Sequence, residues 1–293
     1  MRRGAPWFAT IVVTVVCVSA RAHAQAPARR ASIEGGVTFE RLVSEYRFEN
    51  ESSFDSAGLV PHFFVQHYES TQPWLVARVR YPLGAVMGET AAGYAPERLA
   101  FASDIDTFLQ PGGDVVTSGT SGEARLRGVS IDQRIGLGRV HGWPIGFRAR
   151  YTNRHADFLP ADRVVTHTQP PSETREFITL HEMTTSHEIR AGIDVETPGD
   201  LDGGWRLEGG GAVWPAVRGR LVTELPEKYP GLDIVFDALA FGGEARVALV
   251  RRIGSASVAL HAHAGMILPY RGAASLRQHT IGAGVTLGTG GRH

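Results

Sequence analysis

Apolar and polar side chains alternate with a period of two along most of residues 32–288. Successive side chains of a strand leave on opposite faces, whereas a helix repeats every ~3.6 residues, so this spacing predicts strands. Within 143–154, Trp143, Ile145, Phe147, Ala149 and Tyr151 share one face, opposite Gly146, Arg148, Arg150, Thr152 and Arg154. Residues 129–138 oppose Val129, Ile131, Ile135 and Leu137 to Ser130, Asp132 and Arg134. The stretch 204–221 reads the same way, with Trp205, Leu207, Val213, Val217 and Leu221 against Arg206, Glu208, Arg218 and Arg220. The chain is expected to be all-β.

About ten strands are expected, at roughly 32–47, 59–69, 73–83, 122–138, 143–157, 175–195, 204–222, 233–251, 255–268 and 275–288. Short turns fall at Glu69–Thr71, Arg139–Gly142, Glu196–Gly203 and Arg252–Gly254, and the longest connections at 84–121 and 158–174. Short turns on one rim and long loops on the other are the organisation of an outer-membrane barrel. A soluble, lipocalin-like barrel binding a small ligand alternates too. Strand length favours the membrane, because these runs greatly exceed the ~5–6 residues usual in soluble sheets. So does charge, with Arg and acidic residues recurring on the polar face of strand after strand. Trp143 and Trp205 open strands just after short turns, and Tyr151 follows Trp143 on its face, roughly 20 Å higher in a tilted strand. The expected fold is a closed antiparallel transmembrane β-barrel of about ten strands, with short periplasmic turns and long extracellular loops.

The first 24 residues read as a secretory signal peptide: Met1-Arg2-Arg3, an apolar run from Trp7 to Ala20, then Ala22-His23-Ala24. The run is short of the ~20 residues that a spanning helix needs. Residues 25–293 are then the barrel, placed in the outer membrane. Cys17 leaves with the peptide, which excludes thiol chemistry and disulfides from the mature chain. Lys+Arg and Asp+Glu are equal at 30 each, so no basic excess points to nucleic acid. No cofactor or metal set is identifiable; His261 and His263 share a strand face but lack a third ligand.

A closed sheet in lipid turns one face inward. The inward set is expected to include Arg78, Arg80, Arg134, Arg148, Arg150, Arg190, Arg206, Arg218, Arg220 and Arg246, with Glu34, Asp132, Glu188, Asp194, Glu208 and Glu244. Guanidinium–carboxylate pairs can lace such a lumen shut.

Chemistry is expected at the extracellular rim. Asp104 and Asp106, in Ser103-Asp104-Ile105-Asp106, lie two residues apart, so on an extended segment both carboxyls point the same way and can polarise a water. A solvated turn has the same sequence. At this point the layout resembles the omptins, ten-stranded outer-membrane proteases of Gram-negative bacteria. Their Asp-x-Asp follows the third strand, where Asp104 and Asp106 fall; Thr38-Phe39-Glu40-Arg41 is similar to an omptin stretch whose glutamate faces the substrate, and Ala149, Tyr151 and Phe158 fit a further segment. The resemblance implies an endopeptidase with Asp104 and Asp106 catalytic, Glu40 and Glu227 binding a cationic peptide or protein substrate, and lipopolysaccharide as a lipid partner. One departure is sharp. Pro226 and Lys228 stand where the family has its Asp-x-His, and a protonated lysine cannot accept a proton at neutral pH. The alternative is therefore a non-enzymatic barrel serving as adhesin, scaffold or narrow channel.

Overall fold

A computed structural model describes residues 31–49, 54–55, 58–59, 63–109, 113–159, 161–178, 182–197, 204–224, 233–270 and 274–289. The expected signal peptide, Glu227 and Lys228 lie outside the described residues. The strands are β1 (Ser32–Glu49), β2 (Phe54–Asp55), β3 (Gly58–Leu59), β4 (Phe63–Leu83), β5 (Val86–Leu109), β6 (Val115–Val140) and β7 (Trp143–Phe158). After them come β8 (Ala161–Thr168), β9 (Pro171–Ile178), β10 (Met183–Thr197), β11 (Trp205–Glu224), β12 (Asp233–Ile253), β13 (Ala256–Pro269) and β14 (Ala274–Thr289). Ten of these run in the order β5-β4-β1-β14-β13-β12-β11-β10-β7-β6, and pairing of β5 with β6 closes the ring. Every neighbour is antiparallel. The β8–β9 hairpin stands above the ring, paired to β6 where β7 has ended.

The closed ten-stranded barrel agrees with the sequence, but the strand expected at 175–195 divides between β9 and β10, the connection expected at 158–174 holds β8 and the start of β9, and the region 59–121 differs further. Residues 59–69 and 73–83 are not a hairpin: β4 runs unbroken through Glu69–Thr71. The polar run there is no turn, because Ser70 and Gln72 face the lumen while Glu69 pairs on the outside with Arg41. Conversely, 84–121 is no loop but holds β5 and the start of β6. The tight turn is at Gly84, whose φ of 60° suits glycine. One strand split and one missed left the count intact.

The outer face carries an apolar belt. Ile33, Phe39, Leu75, Val79, Leu207, Val213, Leu260, Ile281 and Leu287 are all more than a third exposed. A water-soluble surface rarely holds so large an apolar patch, whereas a bilayer core requires one. The polar exceptions satisfy one another: Gln133 donates to Tyr81 Oη (2.8 Å) and accepts from Thr90 Oγ1 (2.7 Å).

The inner face divides into layers. On the short-turn side, Arg148 and Arg150 grip Asp132 (2.8 and 2.6 Å) and Glu244 (2.6 and 2.7 Å). Arg80 pairs with Glu89 (2.8 Å), Arg78 with Glu34 (3.3 Å), and Arg134 and Arg246 with Asp194 and Glu196. Each desolvated guanidinium thus has a carboxylate within reach, the condition under which buried charge is tolerable. The guanidinium groups of this layer, with Glu34, Asp132, Glu196 and Glu244, line a cavity of about 850 Å³. Above it the lumen is packed with apolar side chains. Tyr46, Phe64, Trp214, Leu221, Phe236 and Leu276 fill one part, and Leu42, Tyr68, Leu126, Ala156 and Phe158 the other.

Arg218 and Arg220, expected inside, face outward, and Val217 and Leu221, expected outside, are buried. The cause is a bulge between Trp214 and Val217, which adds a residue to β11 at Pro215 and inverts its parity above that point. The Gly209–Gly211 run below the bulge pairs regularly with β12.

Candidate active site at the outer rim

A second bulge places the site. Between Ala95 and Arg98 of β5 the register with β6 slips by one residue, at Pro96-Glu97. Proline lacks an N–H for the ladder, so it is accommodated where pairing is interrupted. Below the bulge the inward residues of β5 are odd-numbered, Glu89 among them; above it they are even-numbered, Ala100, Ala102 and Asp104. Were this same chain to run through Pro96-Glu97 in regular alternation, both Asp104 and Asp106 would point away from the lumen.

Asp104 lies ten residues beyond Tyr94, which is half exposed on the outer face, so in a tilted strand it sits about 25 Å higher, above the lipid. It is paired across the ladder with Gln66 on β4 and Thr120 on β6. Only 4% of Asp104 is exposed, and Oδ1 has no hydrogen-bond partner among the described residues. Burial and the hydrogen-bonded Asp106 carboxyl push Asp104 up to about 8, against the lowering effect of the Thr120 hydroxyl. Two carboxyls this close cannot both ionise at neutral pH, so the pair holds one proton.

Around the pair, Tyr68 Oη hydrogen-bonds Thr184 across the lumen, and Gln66 Nε2 donates to Glu182 Oε1 (3.0 Å). Burial drives the Tyr68 phenol well above its ordinary range, so it stays a neutral donor. Arg163 of β8 pairs with Thr120 across the ladder, forms an ion pair with Glu176, and lends its charge to Asp104. Glu182, Thr120 and Arg163 were not singled out from the sequence, because nothing local marks them; only pairing across the rim assembles them.

Glu40, expected to bind substrate, is elsewhere. It faces inward from β1 between the apolar layer and the charged cavity, held by His263 Nε2 (3.2 Å) and Arg154 (3.5 Å). His261 bonds Thr38 Oγ1 (2.9 Å), and among the described residues no three ligating side chains gather as a metal site. His187 faces outward, with Tyr151 Oη (2.8 Å) on its Nδ1.

No family model matches the chain, and no curated protein does. Among solved structures it is similar to the outer membrane protease OmpT from Escherichia coli, with a TM-score of 0.64 and 9% identity, covering 92% of this chain and 99% of that one. The Pseudomonas putida toluene transporter TodX (TM-score 0.28, 8% identity, 90% of each chain) is too distant to inform. So is the translocator domain of autotransporter NalP from Neisseria meningitidis (TM-score 0.27, 8% identity, 98% and 96% covered). The fold is an omptin-like ten-stranded β-barrel.

Proposed function

We propose that this barrel is an outer-membrane surface endopeptidase in which Asp104 and Asp106 act as a proton-sharing pair. The observation carrying this reading is a buried carboxyl holding its proton beside a second carboxyl, at the mouth of a barrel otherwise sealed by packed side chains. A carboxyl pair with one proton supports hydrolysis: the ionised member takes a proton from water while the protonated member polarises the scissile carbonyl. The apolar layer across the lumen disfavours a channel. The acidic rim, with Glu182 beside the pair, suits a cationic peptide, whereas Glu40 acts below the layer through Arg154 and His263.

Lipopolysaccharide is the proposed lipid partner. Arg127 and Arg220 face outward above the apolar belt with no carboxylate partner among the described residues, near His155 and His187. Phosphate groups would neutralise them.

The test is cleavage of a fluorogenic dibasic peptide by the detergent-extracted barrel and by Asp104→Asn and Asp106→Asn. Loss of about 10²-fold or more in either variant is expected. Equal, background-level rates in all three would remove the protease reading and leave a non-enzymatic barrel.

A further inference from the structure

A second carboxylate-bearing group stands on the same face as the pair, built from the hairpin rather than the barrel. Asp114 Oδ1 accepts from the backbone N–H of Thr168 (2.9 Å) and Gln169 (2.9 Å) and from Thr168 Oγ1 (3.1 Å). Its Oδ2 meets His167 Nδ1 at 2.9 Å. A carboxylate on Nδ1 fixes the imidazole ring and its tautomer and leaves Nε2 for proton exchange.

Strand register shows where this group lies. Asp104, Thr120 and Arg163 form one row across β5, β6 and β8; Asp106, Ser118 and Val165 form the next; Val116 and His167 belong to the row above. Residues directly paired in an antiparallel ladder share a face, so His167 is on the side of the sheet that carries Asp104 and Asp106. It is one row, or two residues, above Asp106 and two strands across, about 12 Å between α-carbons from ordinary strand spacings. With both side chains reaching inward, the remaining gap suits one extended peptide.

We propose that His167 is the acid that protonates the departing amine, with Asp114 as its positioning residue. The proposal rests on the carboxyl-pair reading above. Water loses a proton to the ionised carboxyl as its oxygen bonds to the carbonyl carbon, and the protonated carboxyl gives its proton to the carbonyl oxygen. The C–N bond of the resulting diol then breaks, its electron pair remaining on nitrogen, which takes a proton from the His167 imidazolium. The diol returns one proton to the carboxyl pair, and that proton reaches His167 through solvent. Peptide and water become acid and amine, and the enzyme is restored.

Leaving-group dependence separates this role from a structural one, because an alkoxide needs far less protonation than an amine. A peptide and its matched ester at the scissile position are compared in wild type, His167→Ala and His167→Asn. The Asn amide can still donate to Asp114 and keep the hairpin tied. Both variants should lose about 10²-fold or more on the amide yet under about 5-fold on the ester. Asp114→Asn should show the same selectivity at smaller size, and Glu173→Gln, on the exposed edge of the hairpin, should change neither rate. Equal losses on both substrates, or no loss on the amide, would overturn the proposal. Asp104→Asn tests the underlying reading separately, since it should abolish both reactions.

Discussion

Replacing Asp104 with Asn keeps the shape of the side chain and removes its proton chemistry, so stability and activity should move in opposite directions. In the folded barrel Asp104 holds its proton up to about 8, whereas the unfolded chain releases it near the ordinary 3.8. A raised carboxyl pKa means that the folded state binds an extra proton between those values. The stabilising contribution is complete below pH 3.8 and declines as pH rises through 8. A gap of about four units, at about 1.4 kcal/mol each, sets a ceiling of roughly 5–6 kcal/mol. Because a pair can relax by sharing or by admitting water, about 2 kcal/mol is the expected net gain for Asp104→Asn at pH 9, shrinking to near zero at pH 4. The assay is urea unfolding in lipid vesicles across pH 4–9, followed by tryptophan fluorescence. An Asn variant less stable than wild type at pH 9, or a difference independent of pH, would refute a buried, proton-holding Asp104.

Peptide cleavage by the wild type should fall as pH rises through about 8, when the pair loses its shared proton, and a pH–rate profile checks it. Deleting Glu97 should remove the β5 bulge yet leave Arg98–Leu109 in its register with β6, so Asp104 and Asp106 stay inward and both heat-modifiable migration and cleavage should persist; loss of either would contradict the bulge as placed. Glu244→Gln leaves Arg148 and Arg150 sharing Asp132 alone in the lumen and should cost about 3 kcal/mol or more in the same unfolding assay.

The architecture was readable because lipid enforces one simple rule: outward residues apolar, inward ones free to be charged. Trp143–Tyr151 obeys it, and its faces agree residue by residue with the sequence pattern. Pattern failed where pairing geometry intervened. A one-residue bulge at Pro215 sends Arg218 and Arg220 outside, and nothing in the local alternation announces the slip. Glu69-Ser70-Thr71 looked like a turn because lumen and headgroup faces are both polar above the lipid, so alternation fades while the strand continues. The glycines and proline of 84–121 look like loop chemistry, yet they belong to a strand that must bend and bulge. Of the site, the Asp104–Asp106 spacing was visible, since two residues along one strand share a face. Its burial, its partners Thr120 and Gln66, and the Asp114–His167 pair depend on registers between distant segments.

The outward apolar face underlies everything else, and brominated lipid tests it directly. Four single-tryptophan barrels would retain Trp74, Trp143, Trp205 or Trp214 in turn. Trp143, half exposed on the belt, and Trp205, at the start of β11, should be strongly quenched in brominated-lipid vesicles. Trp74 and Trp214, at 7% and 0% exposure inside the ring, should be spared. Quenching of the inner pair with the outer pair unaffected would contradict the barrel's orientation of its two faces.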